Sequence, residues 1–201
     1  MCKNILYIHG SGQSPISWSY FNVFLPEHNA VEVAYNVSES AEEICKAILP
    51  QLSKFNDQPF SIVAHSYGCL LAAVLYTMVD RVDNIIALSP PWGGSQTAKW
   101  LGRAFRDNNL FKNTTPNSTL LEFINTVNIP VPVTNIVTTG GENVLAGFGK
   151  PNDGMVTVDS QRSIPETFTQ TISHELSLSH SEVLLSYDVI NIITETLFTH
   201  Q

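Results

Sequence analysis

Short apolar runs alternate with polar turns and longer mixed stretches along this chain. Residues 4–8 (Asn-Ile-Leu-Tyr-Ile) form a run of buried-strand length, and residues 30–37 form a second with partial alternation. Ser38 followed by Ala41-Glu42-Glu43 predicts an N-cap and a helix through about residue 53. Residues 60–64 read as a β-branched strand, 67–79 as a helix and 82–88 as another strand. Residues 95–128 carry the least regular pattern, with a short helix predicted over 97–105 and a polar loop, Asn113-Thr114-Thr115-Pro116-Asn117-Ser118. Strand patterning resumes over 131–138 and 167–173, and residues 181–198 predict a closing helix. Such alternation of strand and helix predicts one α/β domain over 1–201, with a mostly parallel sheet and helices on both faces. The stretch 95–128 is expected to be a small insertion or flap.

Composition narrows the classes of function. Hydrophobic residues make up 43% of the 201 and charged residues only 14%, enough apolar material for a large core. A net charge of −8 argues against nucleic acid and anionic membrane surfaces as main partners. No apolar run approaches 18 residues, so no integral membrane segment is expected. Residues 1–8 are too short an apolar lead to serve as a signal peptide, and Cys2, Cys45 and Cys69 make no disulfide framework. Both features fit a cytoplasmic protein with free thiols.

The chemistry concentrates at Ala64-His65-Ser66-Tyr67-Gly68, between the apolar strand 60–64 and the apolar helix that follows. A serine at a tight strand-to-helix turn needs almost side-chain-free positions two before and two after it, and Ala64 and Gly68 occupy them. Its hydroxyl becomes a nucleophile only if a histidine takes the proton and an acid orients that histidine. Asp153, in Pro151-Asn152-Asp153-Gly154-Met155-Val156, and His180, ahead of the closing helix, complete the order serine, aspartate, histidine.

These pieces, together with His9-Gly10 after the first strand, resemble the α/β-hydrolases, and most of all small lipases and esterases with little or no lid. Ser89-Pro90-Pro91-Trp92-Gly93-Gly94-Ser95 also resembles a loop of lipases and lipid acyltransferases. The resemblance runs from the first strand to the last helix and implies an α/β-hydrolase fold. It further implies a serine esterase or lipase without cofactor or metal, in which Ser66 is the nucleophile, His180 the general base and Asp153 its orienting acid. Backbone N–H groups of Ser11 and Tyr67 would form the oxyanion hole, each donor worth roughly 3–4 kcal/mol of barrier. The substrate implied is a small or lipid-like acyl ester.

Other readings compete at several positions. His174 rivals His180 because it also lies near the end of the last strand, while Asp159 and Glu142 rival Asp153. His65 reads as a packing residue, and His9 as a hydrogen-bonded part of its loop. His174-Glu175 with His180 lacks the H-E-x-x-H spacing of a zinc site, and no phosphate-binding glycine motif is present. Trp92, Trp100, Phe105 and Phe111 are candidates for an acyl pocket, and Trp18, Tyr20, Phe21 and Phe24 for an apolar wall beside the oxyanion loop. An acyltransferase or thioesterase would use the same triad. A non-catalytic binding protein of the same fold would be expected to lack one of its members.

Overall fold

A computed structural model describes residues 2–95, 109–141 and 149–199. Six strands build the sheet: β1 (Lys3–Ile8), β2 (His28–Val33), β3 (Phe60–His65), β4 (Val82–Leu88), β5 (Ile129–Thr138) and β6 (Phe168–Leu176). Their order is β2-β1-β3-β4-β5-β6, and all five pairings are parallel. The order reverses between β1 and β3, which opens a crevice beyond the carboxyl ends of those two strands. Helices α1 (Ser19–Phe24), α2 (Ala41–Ile48), α3 (Tyr67–Tyr76), α4 (Asn109–Thr114), α5 (Thr119–Ile124), α6 (Val158–Arg162) and α7 (Tyr187–Phe198) connect or follow the strands.

Period-2 alternation divides the core in two. Leu6 and Ile8 of β1, with Ile62 and Ala64 of β3, face α2 and α3. Ile5, Tyr7 and Val63 face the other way, against Trp18, Phe21 of α1 and Val189, Ile190 and Ile193 of α7. Both faces are therefore covered, as a wholly parallel sheet requires. Every residue of α3 from Tyr67 to Leu75 is buried, so α3 is a core helix rather than an amphipathic one.

Several boundaries differ from the sequence expectation, each for a local reason. Strand β2 ends at Val33 because its partner β1 ends at Ile8, leaving residues 34–37 nothing to pair with. Ser40, not Ser38, caps α2: its hydroxyl accepts from Glu43 N–H at 3.2 Å, and Glu43 Oε2 accepts Ser40 N–H at 2.9 Å. Ser38 instead donates its N–H to Asn36 Oδ1. Beyond Ile48, Pro50 offers no N–H and the chain tightens into 3-10 turns over Leu49–Phe55. The closing helix is split into a 3-10 turn, Glu182–Leu185, and α7, with Ser186 extended between them. The described part of the irregular region holds two short helices, α4 and α5, joined by the expected polar loop, which is shortened to residues 115–118 because Asn113 and Thr114 complete α4. The helix expected over 97–105 lies outside the described residues.

Candidate active site

Local chemistry begins at Ser66, the residue between β3 and α3. Its φ of 53° and ψ of −122° are unusual for a residue with a side chain. Ser66 N–H donates to Leu88 O at 2.9 Å, so the neighbouring strand holds the turn from outside. Tightness is enforced at Gly68, where a Cβ would stand 2.3 Å from Ile8 O and 2.6 Å from His9 O. Only glycine lets the first turn of α3 press onto the end of β1.

His180 approaches from the loop after β6. Its Nε2 lies 2.9 Å from Ser66 Oγ, and its Nδ1 lies 2.7 Å from Asp153 Oδ2. A carboxylate only accepts, so Nδ1 carries the proton and Nε2 is left to accept from the serine hydroxyl. A backbone bond from His180 N–H to Asp153 O, 2.8 Å long, clasps the two loops together. Asp153 is fully buried. Burial alone would raise its pKa, but the hydrogen bond and charge of His180, with donors from Val156 and Thr138, outweigh it. The carboxyl is held below its ordinary range.

Four further donors serve that carboxylate. Met155 N–H and Val156 N–H reach Oδ1 at 2.9 and 2.7 Å, and Thr138 Oγ1 and Gln161 Nε2 reach Oδ2 at 2.7 and 3.1 Å. Gly154, with φ of 100°, closes the turn that aims the two N–H groups back at their own aspartate. Thr138 and Gln161 carried no sequence signal of this role: one ends a strand, the other sits on a five-residue helix.

Ser66 and His180 open into a cleft of about 310 Å³, also lined by Ser11, Gln13, Tyr67, Pro91, Leu110, Met155 and Val156. Tyr67 N–H, at the first position of α3, has no acceptor within the helix. In the loop after β1, Gly10 N–H is taken by Gln13 Oε1 at 2.9 Å, while Ser11 faces the cleft. His65, buried beside Ser66, ties two loops together. Its Nε2 lies 2.8 Å from His180 O and its Nδ1 2.9 Å from Gln13 Oε1, both acceptors, so a neutral ring donates its one proton to one of the two. Burial, then the nearby His180, pushes the His65 pKa down to about 3, so the ring is neutral. His9 stacks on Tyr35 at 4.3 Å and donates from Nδ1 to Gly10 O.

The rival residues stand elsewhere. His174 pairs with Ile136 within the sheet and does not line the cleft. Asp159 is exposed and bridges to Lys150 at 3.2 Å. Glu142 lies outside the described residues. Of the two roles open to Trp92, acyl pocket or packing, it takes packing: it is buried against Phe168 and donates Nε1–H to Asn135 Oδ1 at 3.0 Å. Trp100 and Phe105, and the side chain of Phe111, lie outside the described residues. Trp18 and Phe21 are core residues packed on Tyr7, Tyr20 packs on a half-exposed Phe24, and none of the four lines the cleft. Apolar lining comes instead from Pro91, Leu110, Met155 and Val156, none of which the pattern singled out for the pocket. Among the described residues no cluster of three metal-ligating side chains occurs, and no helix is long and apolar enough to cross a membrane.

No protein-family model matches the chain, and no curated protein matches it in sequence. Solved structures do match it in shape. A protein from Listeria innocua superimposes with a TM-score of 0.70 at 14% identity, covering 100% of this chain and 96% of that one. A hydrolase from Oleispira antarctica gives 0.68 at 13% identity over 98% and 92% of the two chains. A lipase from Bacillus licheniformis gives 0.67 at 14% identity over 98% and 91%.

Proposed function

We propose that this protein, which has the α/β-hydrolase fold, is a serine hydrolase that cleaves carboxylic esters through Ser66, His180 and Asp153. The observation that carries this reading is the continuous hydrogen-bonded line from Ser66 Oγ through the His180 ring to a buried, ionised Asp153. As Ser66 Oγ bonds to the ester carbonyl carbon, its proton passes to His180 Nε2. The carbonyl oxygen, now anionic, is held by the backbone N–H groups of Ser11 and Tyr67. Collapse of the intermediate breaks the bond to the leaving oxygen, which takes the proton from Nε2 as the alcohol departs. Water then gives a proton to the same nitrogen and attacks the acyl-serine. Return of that proton to Ser66 Oγ frees the carboxylic acid. Asp153 keeps Nδ1 protonated throughout and stabilises the cationic ring.

Among the described residues the cleft beside Ser66 lies at the lower end of the volumes typical of ligand pockets, with an apolar patch of Pro91, Leu110, Met155 and Val156 set among polar groups such as Gln13 and Thr114. That favours an ester whose acyl group is short and apolar.

A fluorophosphonate probe tests the reading directly. The intact protein should be labelled, Ser66→Ala and His180→Ala should not, and His174→Ala should label like the parent. Labelling that persists in Ser66→Ala, or is absent from folded parent protein, would reject it. Turnover of p-nitrophenyl esters of graded length then reads the acyl preference, with short chains expected to be fastest.

A further inference from the structure

Thr138 Oγ1 has one proton and three acceptors in reach: Asp153 Oδ2 at 2.7 Å, Ser89 Oγ at 2.8 Å and Gln161 Oε1 at 3.2 Å. The charged oxygen wins it, and the Ser89 hydroxyl then donates to Thr138 Oγ1. All three residues are fully buried. Gln161 has no freedom to turn over. Its Oε1 accepts Thr138 N–H at 2.8 Å, and its Nε2 donates to Thr138 O at 3.0 Å and to Asp153 Oδ2 at 3.1 Å. Reversing the amide would set an oxygen against a carbonyl and a carboxylate, and an N–H₂ against an N–H.

Helix α6, which carries Gln161, is bolted down by the Ser89–Gly94 segment. Gly93 N–H donates to Ser160 O at 3.0 Å, and Ser160 Oγ donates to Gly94 O at 2.6 Å. Asn135 joins the two, accepting Trp92 Nε1–H and donating to Gln161 O at 3.2 Å. Ser89 itself holds a φ of 50°, a backbone conformation that residues with side chains rarely adopt. That conformation leaves the Ser89 hydroxyl beside Thr138.

We infer that Thr138 and Gln161, backed by Ser89 and the Ser89–Gly94 loop, are positioning residues that aim the Asp153 carboxylate and limit the negative charge it presents to His180. The inference rests on the triad proposed above. A buried carboxylate shared among five donors presents less charge to any one of them. Removing a neutral donor while Asp153 stays ionised therefore leaves more charge facing Nδ1–H, and the imidazole binds its second proton more tightly. Trp92 thus acts behind the acid, while Pro91 of the same loop faces the cleft.

The test compares the parent with Thr138→Val, Thr138→Ser, Gln161→Met and Ser89→Gly in two readouts. One is the second-order rate of fluorophosphonate labelling against pH. The other is the titration of the His180 ring by nitrogen-resolved NMR, assigned by its loss in His180→Asn, which needs no catalysis. In Thr138→Val the acid limb and the ring's titration midpoint should both move up by about half to one pH unit. Thr138→Ser keeps the hydroxyl and should titrate like the parent. Gln161→Met should follow Thr138→Val, and Ser89→Gly, which suits the positive φ, should shift less in the same direction. An unmoved midpoint in folded Thr138→Val, or an equal shift in Thr138→Ser, overturns the inference. A parent that titrates as described but never labels rejects the hydrolase reading and leaves the positioning inference to the NMR result.

Discussion

At the scale of single residues the site runs on hydrogen-bond direction. Asp153 has every lone pair answered, so replacing it with Asn turns one acceptor into a donor facing Nδ1 and forces the wrong tautomer on His180. Asp153→Asn should also lose some stability, because its N–H₂ would face Gln161 Nε2–H₂, and it should lose about 10⁴-fold in kcat, measured on a p-nitrophenyl ester. His65 makes a different prediction, about stability. Its pKa is pushed down to about 3 when folded and lies near 6.5 when unfolded, so between those values the unfolded chain binds more protons. Stability should therefore rise with pH up to about 6.5 and fall on acidification, by about 2 kcal/mol from pH 7 to pH 5. His9, also lowered by burial, acts in the same direction. Asp153 adds nothing in that window, because its carboxyl is ionised in both states there and its contribution is lost only at lower pH. Urea unfolding at pH 5 and pH 7 checks this: His65→Asn should remove more than half of the difference, and an unchanged difference would clear His65 of the effect.

Elements place these residues, and some of their devices are separable from the chemistry. The Ser40–Glu43 capping box opens α2 and touches none of the proposed triad. Ser40→Ala should cost about 1 kcal/mol of unfolding free energy and leave ester turnover unchanged. Gly68→Ala should behave oppositely. A methyl group 2.3 Å from a backbone carbonyl cannot be relieved by a rotamer change, so α3 must lift off β1. The expected loss is about 3 kcal/mol, with activity falling further than stability because Ser66 and Tyr67 move with the helix. Circular dichroism melts beside turnover rates separate the two. Much of this level was legible beforehand: the apolar runs at 60–64 and 82–88 appear as strands at nearly those bounds, because fully buried parallel strands are continuous in hydrophobicity. Helix α6 was not, since five residues give no period to read and its stability comes from bonds to Gly93, Gly94 and Asn135.

For the whole molecule, the two cores share one sheet, and neighbouring residues of each strand serve opposite faces. Neither core can open without stripping the other's strands, so the chain should unfold as a single cooperative unit. Trp18 reports on one face and Trp92 on the other. Variants retaining only one of these tryptophans should give coincident urea transitions, and separated midpoints would disprove the coupling. Sequence alone determined the alternation of strand and helix, the elbow at Ser66 and the candidates Asp153 and His180, because each depends on residues adjacent in the chain: hydrophobic period, small flanking residues, a glycine after an acid. It preferred His180 to His174 and Asp153 to Asp159 on motif alone, without any contact to rest on, and it could not find Thr138, Gln161, Gln13 or the apolar lining of the cleft. Those depend on which loops the strand order 2-1-3-4-5-6 brings to one end of the sheet, and on backbone N–H, hydroxyl and amide groups whose directions exist only once the chain is packed. Distance and direction between residues more than a hundred positions apart, as for Ser66 and His180, are properties of the tertiary structure alone.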